Sequence, residues 1–247
     1  LDLMYARVYT EFIQALDAHD NGVHQYAPDQ APAYKITTAL PARVYRMNIP
    51  WDEKTGENAA TRAAFGKAVT TCGDEFKECV AFLVKDLPTR QTVLAAYATR
   101  FHAHPSGQVM WLNDATNWQA HIHEVEREAK GERPVLYVCG KFKDNDWRIS
   151  AVAIHEGSFV SRKALPEEWR GLRGAELETV TGVPGSVFCH QAGFMGGHTP
   201  ADGIKQLAWL AIAHTTGGGG GVTNHVTMTN SQGSFVVVAG HNAHVTL

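Results

Sequence analysis

Residues 182–204 read GVPGSVFCHQAGFMGGHTPADGI, and the parsing of this stretch decides the fold. SVFCH, 186–190, is a short apolar run of strand character. A glycine-framed segment follows, with Gly193, Gly196 and Gly197 between His190 and His198. ADGIKQLAWLAIAH, 201–214, then sets Ile204, Leu207 and Leu210 at helical spacing. Strand, turn and helix in this order predict an α/β (α+β) unit. The glycines admit two readings. Either they bring bare backbone N–H groups to an anion near a helix N-terminus, with His190 and His198 on a phosphoryl oxygen, or they only let the chain turn at positive φ.

Working outward, QVMWL (108–112), VLYVC (135–139) and WRISAVAIH (147–155) are further short apolar runs, separated by turn-rich segments such as KDND and VPG. They read as strands. Upstream the texture is helical. Leu1, Tyr5, Val8, Phe12 and Leu16 predict a helix over 1–18 that stops at Asp20-Asn21-Gly22. Phe65, Val69, Cys72, Phe76, Val80 and Leu83 predict a second over 57–85, ended by Pro88. Val93, Leu94, Tyr97 and Phe101 predict a third, closed by HPSG. Residues 217–221 are five glycines, a linker composition. Beyond them the tail has no Lys, Arg, Asp or Glu. It has the pattern of a hairpin, and no function is assigned to it.

The chain of 247 residues is 44% hydrophobic and 19% charged, with a formal net charge of −3. That balance excludes a broad basic field for nucleic acid, so a polyanion must be held locally by a few arginines or by metal. Cys72, Cys79, Cys139 and Cys189 lack zinc-ribbon spacing and suit reduced core thiols in an intracellular protein. No apolar run reaches membrane-spanning length. The start, LDLMYARVYTEF, has no basic, apolar leader and reads as helix interior. The expectation is a chain that begins partway through a larger protein.

Other segments carry candidate chemistry. Asp20, with Asp17 and His19 nearby in DAHDNG, either binds a hard divalent cation or merely ends a helix. Arg43 and Arg46 stand one helical turn apart, as a phosphate clamp or as a solvated face. Arg162, Arg170 and Arg173 interleave with Phe159 and Trp169, which suits a phosphate with a base stacked beside it, or a segment covering the sheet. His-Ala-His at 102–104 and His-Ile-His at 121–123 sit in polar, turn-rich contexts without a third ligand and read as surface histidines.

The order of four blocks adds a resemblance. VYTEFIQALDAHDNGVHQY (8–26), YKITTALPARVYRMNIPW (34–51), DWRISAVAIHEGSFVSRKALPEEWRGLR (146–173) and GVPGSVFCHQAGFMGGHTPADGI (182–204) closely resemble successive blocks of the melanocyte proliferating gene exonuclease family, also labelled metal-dependent protein hydrolases, of the DHH phosphoesterase superfamily. The resemblance covers residues 1 to about 214. It implies the C-terminal part of a two-domain enzyme. Residues 1–26 would end the metal-binding domain, 27–107 would form a helical connection, 108–214 a substrate-binding domain, and 215–247 a linker and tail. Members act as 3′–5′ RNA exonucleases in nucleus and mitochondrion. The expected compartment is therefore the cytoplasm, nucleus or mitochondrion, the expected partner RNA or an oligonucleotide, and the expected cofactor two Mn2+ or Mg2+ ions.

Carried over by residue, Asp20 would be a metal ligand. Gly196-Gly197-His198 would match the glycine-rich substrate loop, with Gly193 beside it and His190 at the strand end as catalytic candidates together with His198. Arg43, Arg46, Arg162, Arg170 and Arg173 would contact phosphate. The family's His-x-x-x-Phe-His-x-Asp-Glu and Asp-His-His motifs are absent from these residues. The expectation is a catalytically incomplete fragment whose own N-terminal domain is missing, or else a non-catalytic module that grips a nucleotide or RNA end.

Overall fold

The computed structural model describes residues 1–26, 29–31, 34–50, 59–131 and 133–214, with two further strands at 224–230 and 233–239 described by their backbone alone. The chain divides into two compact units, Leu1–Pro88 and Thr89–Leu247. Within the second unit, the helices between 89 and 103 pack on the first strand of the sheet.

In the first unit, α1 (Asp2–Val8) and α2 (Gln14–Asp20) are joined by a π-helical turn at Tyr9–Ile13. The helix ends at Asn21 and Gly22, where the Val23 N–H closes on the Ala18 carbonyl. Then come α3 (Leu40–Tyr45) and the 28-residue α4 (Ala59–Asp86). The expected start of this helix at 57 lies outside the described residues. Phe12 meets Phe76 edge to face at 5.5 Å. Leu40 and Leu83 are buried, whereas Phe65 and Val69 of the α4 stripe stay exposed.

In the second unit, α5 (Thr89–Ala98) and α6 (Arg100–Ala103) precede β1 (Val109–Leu112). A crossover through α7 (Ile122–Ala129) brings β2 (Tyr137–Lys143) parallel to β1, as a parallel pair requires. The KDND turn, with Asn145 left-handed at φ +56°, returns the chain as β3 (Asp146–Ala151). After α8 (Gly174–Thr181), the strands β4 (Ser186–Cys189) and β5 (Met195–His198) form an antiparallel hairpin, and α9 (Ala201–Ala213) follows. The five-stranded sheet has the order β1-β2-β3-β5-β4. This is the expected mixed α+β class. β6 (Asn224–Asn230) and β7 (Gly233–Ala239) pair as the anticipated hairpin, while the 217–221 glycine run lies outside the described residues.

Side-chain alternation gives the sheet two faces. Cys139, Ile149 and Cys189 join Ile204 and Leu207 of α9 in one core. Met110, Leu112 and Val138 join Val93, Ile122 and Val125 of α5 and α7 in the other. Among the described residues, no helix is long and apolar enough to cross a membrane.

Candidate nucleic-acid interface

The glycine segment folds differently from a loop. The turn is confined to 190–194. Gly193 sits there at φ +68°, a region that only glycine enters freely, and its N–H donates to the His190 carbonyl at 2.8 Å. Gly196 and Gly197 belong to β5, an interior strand paired with β3 on one side and β4 on the other. Their backbone groups are spent on the ladder rather than offered to an anion, which corrects the loop expected there.

Around the turn the structure gathers three of the expected residues. The Arg170 side chain lies directly against Gly193, and its Nε–H donates to the Leu165 carbonyl. His190 is exposed and packs against Phe194 at 4.4 Å. The Ala192 N–H donates to its Nδ1 at 3.1 Å, so the neutral imidazole carries its proton on Nε2, the nitrogen left for a ligand. WRGLR is fixed as an edge segment on β4. The Gly171 N–H donates to the Cys189 carbonyl, the Cys189 N–H donates to the Leu172 carbonyl, and Arg173 bridges to Phe188.

That edge places Arg173 on the sheet face opposite α9. The guanidinium of Arg173 lies 5.7 Å from the Phe188 ring, Arg148 lies 5.1 Å from the same ring, and Arg148 lies 4.4 Å from Phe142. The Phe188 ring covers Gly197, where a Cβ would fall 2.5 Å from the ring edge. Phe142 and Arg173 are exposed and Phe188 is half-buried. Asp146 holds Arg148 with two 2.8 Å bonds, which raises the guanidinium pKa and pulls the carboxyl down. Among the described residues Arg173 makes no ion pair. The result is a row of aromatic and cationic groups, Phe142, Arg148, Phe188 and Arg173, along a partly open sheet face. Sequence reading names only Arg173 of the four. The signal for Arg148 was present in the alternation of WRIS, in which Trp147 and Ile149 face α9 and Arg148 and Ser150 face away.

The other expected residues lie elsewhere. His198 is buried, 1% exposed, on the α9 face. Its Nδ1 stands 3.1 Å from the Pro200 carbonyl, which can only accept, so Nδ1 carries the proton. Arg43 pairs with Glu75 at 2.5 Å, and Arg46 donates to the Thr37 carbonyl, so the two form no phosphate clamp here. Arg162 is held by both carboxylate oxygens of Glu126 and by the Val135 carbonyl. His121 is 1% exposed, and His123 faces Arg162 at 3.0 Å, which corrects the surface reading of HIH. In HAH, His104 packs against Trp209 at 4.4 Å.

Asp20 is exposed on the last turn of α2, and Asp17 is engaged by Asn21 and Tyr9. Among the described residues, no group of three or more His, Cys, Asp or Glu side chains is placed to hold a metal ion. A two-ion centre therefore does not fit these residues by themselves.

Burial pulls the imidazoles of His104, His123 and His198 below their ordinary value. Each is neutral when folded but takes up a proton near pH 6.5 when unfolded. Below that pH the unfolded chain binds more protons, so stability is full above about pH 6.5 and is lost as the pH falls. The depressed carboxyls, Asp144 and Asp146, lose their contribution only at lower pH, near and below their ordinary value of 3.8. Urea unfolding should show a lower midpoint at pH 5.5 than at pH 7.5. An unchanged midpoint would count against neutral buried histidines.

Comparison with known proteins bears out the family resemblance. The family model MYG1_exonuc, described as Uncharacterised protein family (UPF0160), matches residues 1–212. The chain is 35% identical over 215 residues to the MYG1 exonuclease of Mus musculus, covering 86% of this chain and 56% of the relative. It is 36% identical over 212 residues to the MYG1 exonuclease of Homo sapiens, covering 85% and 55%. To a MYG1 protein of Saccharomyces cerevisiae it is 35% identical over 219 residues, covering 86% and 64%. The chain thus spans little more than half the length of the mammalian relatives. No solved structure gives a significant match. With a family model over most of its length and relatives at this identity, the chain belongs to the MYG1 exonuclease family.

Proposed function

We propose that this chain supplies the substrate-gripping part of a metal-dependent phosphoesterase, a 3′–5′ RNA exonuclease in which two Mn2+ or Mg2+ ions carry the hydrolysis. The observation behind this reading is the Phe142–Arg148–Phe188–Arg173 row. Every nucleobase has a π-face, so a half-exposed phenyl ring stacks on any base, and each stacked base contributes about 1–3 kcal/mol. Arg173, with its charge unspent on a carboxylate among the described residues, is placed to take the adjoining phosphate. Arg148, neutralised by Asp146, stiffens the row by standing between two rings. His190, at the end of β4, offers Nε2–H to a phosphoryl oxygen.

The ions would activate water and stabilise the leaving oxygen. Asp20 alone does not make a site for them. The described residues hold and orient the substrate. A second reading, a non-catalytic nucleotide-binding module, is favoured by one observation, the lack of a ligand set among those residues.

Fluorescence anisotropy with a labelled single-stranded oligoadenylate tests the shared claim. Phe188→Ala should weaken binding roughly five- to a hundredfold. Arg173→Ala should make the slope of log K against log salt shallower by about 0.7, the value for one phosphate contact on a single strand. If Phe188→Ala binds like the parent chain, the row is not the interface. Mn2+-dependent release of labelled mononucleotide separates the two readings: no hydrolysis by this chain alone but hydrolysis by a protein that joins it to the family's His-x-x-x-Phe-His-x-Asp-Glu and Asp-His-His motifs favours the first, and binding without hydrolysis by both favours the second.

A further inference from the structure

A cavity of about 530 Å3, which shares no lining residue with the aromatic row, is bounded by α7 and the turn at 154–156. Its size falls in the range of small-molecule sites. Three arginines line it, Arg127, Arg133 and Arg162, against two glutamates, Glu126 and Glu156. Glu126 is consumed by Arg162 through two bonds of 2.7 and 2.9 Å. Arg127 and Arg133 are exposed and make no ion pair among the described residues. Positive charge is therefore left over at the cavity.

Neutral donors reinforce it. The Arg162 guanidinium cannot give up its protons, so at 3.0 Å it donates to His123 Nδ1 and leaves the proton of the neutral imidazole on Nε2. Burial and the Arg162 charge both hold His123 neutral. His155 lines the same cavity. Tyr97 also lines it, is only 4% exposed, and its hydroxyl has no hydrogen-bond partner among the described residues. The hydroxyl lies against Gly131, which leaves no room for a side chain there. An orphaned buried hydroxyl is costly, and such groups in native structures call for an explanation.

We propose that this cavity binds a phosphate dianion, free or as a monoester, between Arg127 and Arg133, with His123 Nε2–H and the Tyr97 hydroxyl as further donors. Two guanidinium forks, an imidazole and a phenol approach from several elements, which suits an oxyanion with three or more oxygens better than a planar carboxylate. Ile154 and Pro134 supply an apolar wall on which the body of a monoester can rest. The site is independent of the row that carries the nuclease reading.

Titration of the full chain with inorganic phosphate and with adenosine 5′-monophosphate tests it, followed through the histidine ring resonances, with sodium chloride at equal ionic strength as control. Both phosphates should shift His123 and His155. A tighter adenosine 5′-monophosphate titration identifies a monoester as the ligand, and equal affinities identify the free ion. The Arg127→Ala/Arg133→Ala double variant changes exposed residues and should weaken binding at least tenfold. Tyr97→Phe should weaken it about fivefold, the effect of one hydrogen bond, with the thermal midpoint retained. Equal shifts in sodium chloride, an unaffected double variant or Tyr97→Phe, or shifts at His190 instead of His123, would each overturn the proposal.

Discussion

Glu126→Ala is expected to cost about 3 kcal/mol of folding stability, read as a shift in urea midpoint at unchanged slope. Glu126 and Arg162 are 13% and 14% exposed along their side chains, so neither charge is well solvated. The Glu126 carboxylate accepts two bonds from Arg162 and a third from the Val135 N–H at 2.7 Å. Arg162 in turn reaches the Val135 carbonyl and His123. One pair thus ties α7, the entry to β2 and the 158–165 loop together. Removing the carboxylate strands a guanidinium and a backbone N–H, and an uncompensated buried charge costs about 3–5 kcal/mol. The low end applies because Arg162 keeps the Val135 carbonyl. Against a total stability of about 5–15 kcal/mol, this is a large fraction.

Two companion variants separate charge from packing. Glu126→Gln keeps an acceptor for Val135 and should fall between the parent and Glu126→Ala. Glu126→Gln combined with Arg162→Met leaves no unpaired charge and should recover most of the loss, since an apolar replacement of a buried pair is often neutral. A double variant no more stable than Glu126→Ala would show that the pair's charges are not what matters.

The resemblance and the sheet-forming runs were legible in the sequence for physical reasons. WRISA alternates, and only a strand puts Trp147 and Ile149 on one face with Arg148 and Ser150 on the other. KDND reads as a turn because asparagine tolerates the left-handed conformation that Asn145 adopts. The glycine segment was not legible in the same way. A strand made of Met-Gly-Gly-His has no side-chain periodicity, so nothing local marks it. Its strand state is imposed by β3 and β4 on either side and by the Phe188 ring that needs Gly197 bare.

The site residues divide in the same way. Arg162 and Arg173 look alike in sequence, each an arginine among polar and aromatic neighbours. Their difference comes from position 126, 36 residues upstream of Arg162, where a carboxylate claims one guanidinium and leaves the other to the surface. His190 and His198 flank the same glycines. The strand's two-residue alternation, together with the turn, exposes the first and seals the second beneath α9. Long-range pairing of this kind is invisible to spacing, and it decides which candidates can meet a ligand.

Gly203→Ala sharpens the role of the sealed histidine. Gly203 sits in the first turn of α9, where alanine would normally gain up to about 1 kcal/mol in helix propensity. Here the added Cβ would fall 1.9 Å from Cε1, 2.1 Å from Nε2 and 2.3 Å from Nδ1 of the His198 ring. The ring has nowhere to go. It is 1% exposed, tethered through Nδ1 to Pro200, and backed by Gly185, whose own Cβ position lies 2.9 Å from Cε1. Overpacking of a closed site costs about 1–3 kcal/mol or more, and a clash with an immobile ring belongs at the upper end. The net expectation is a loss of about 2 kcal/mol, against the gain that propensity alone predicts. His198→Ala empties the site, so Gly203→Ala in that background should be nearly neutral, and the two effects should couple by about 1–2 kcal/mol in a double-mutant cycle. A stabilising Gly203→Ala would mean that the ring can leave. His198 would then be able to reach the surface, and its place as a core residue rather than a reactive one would be lost.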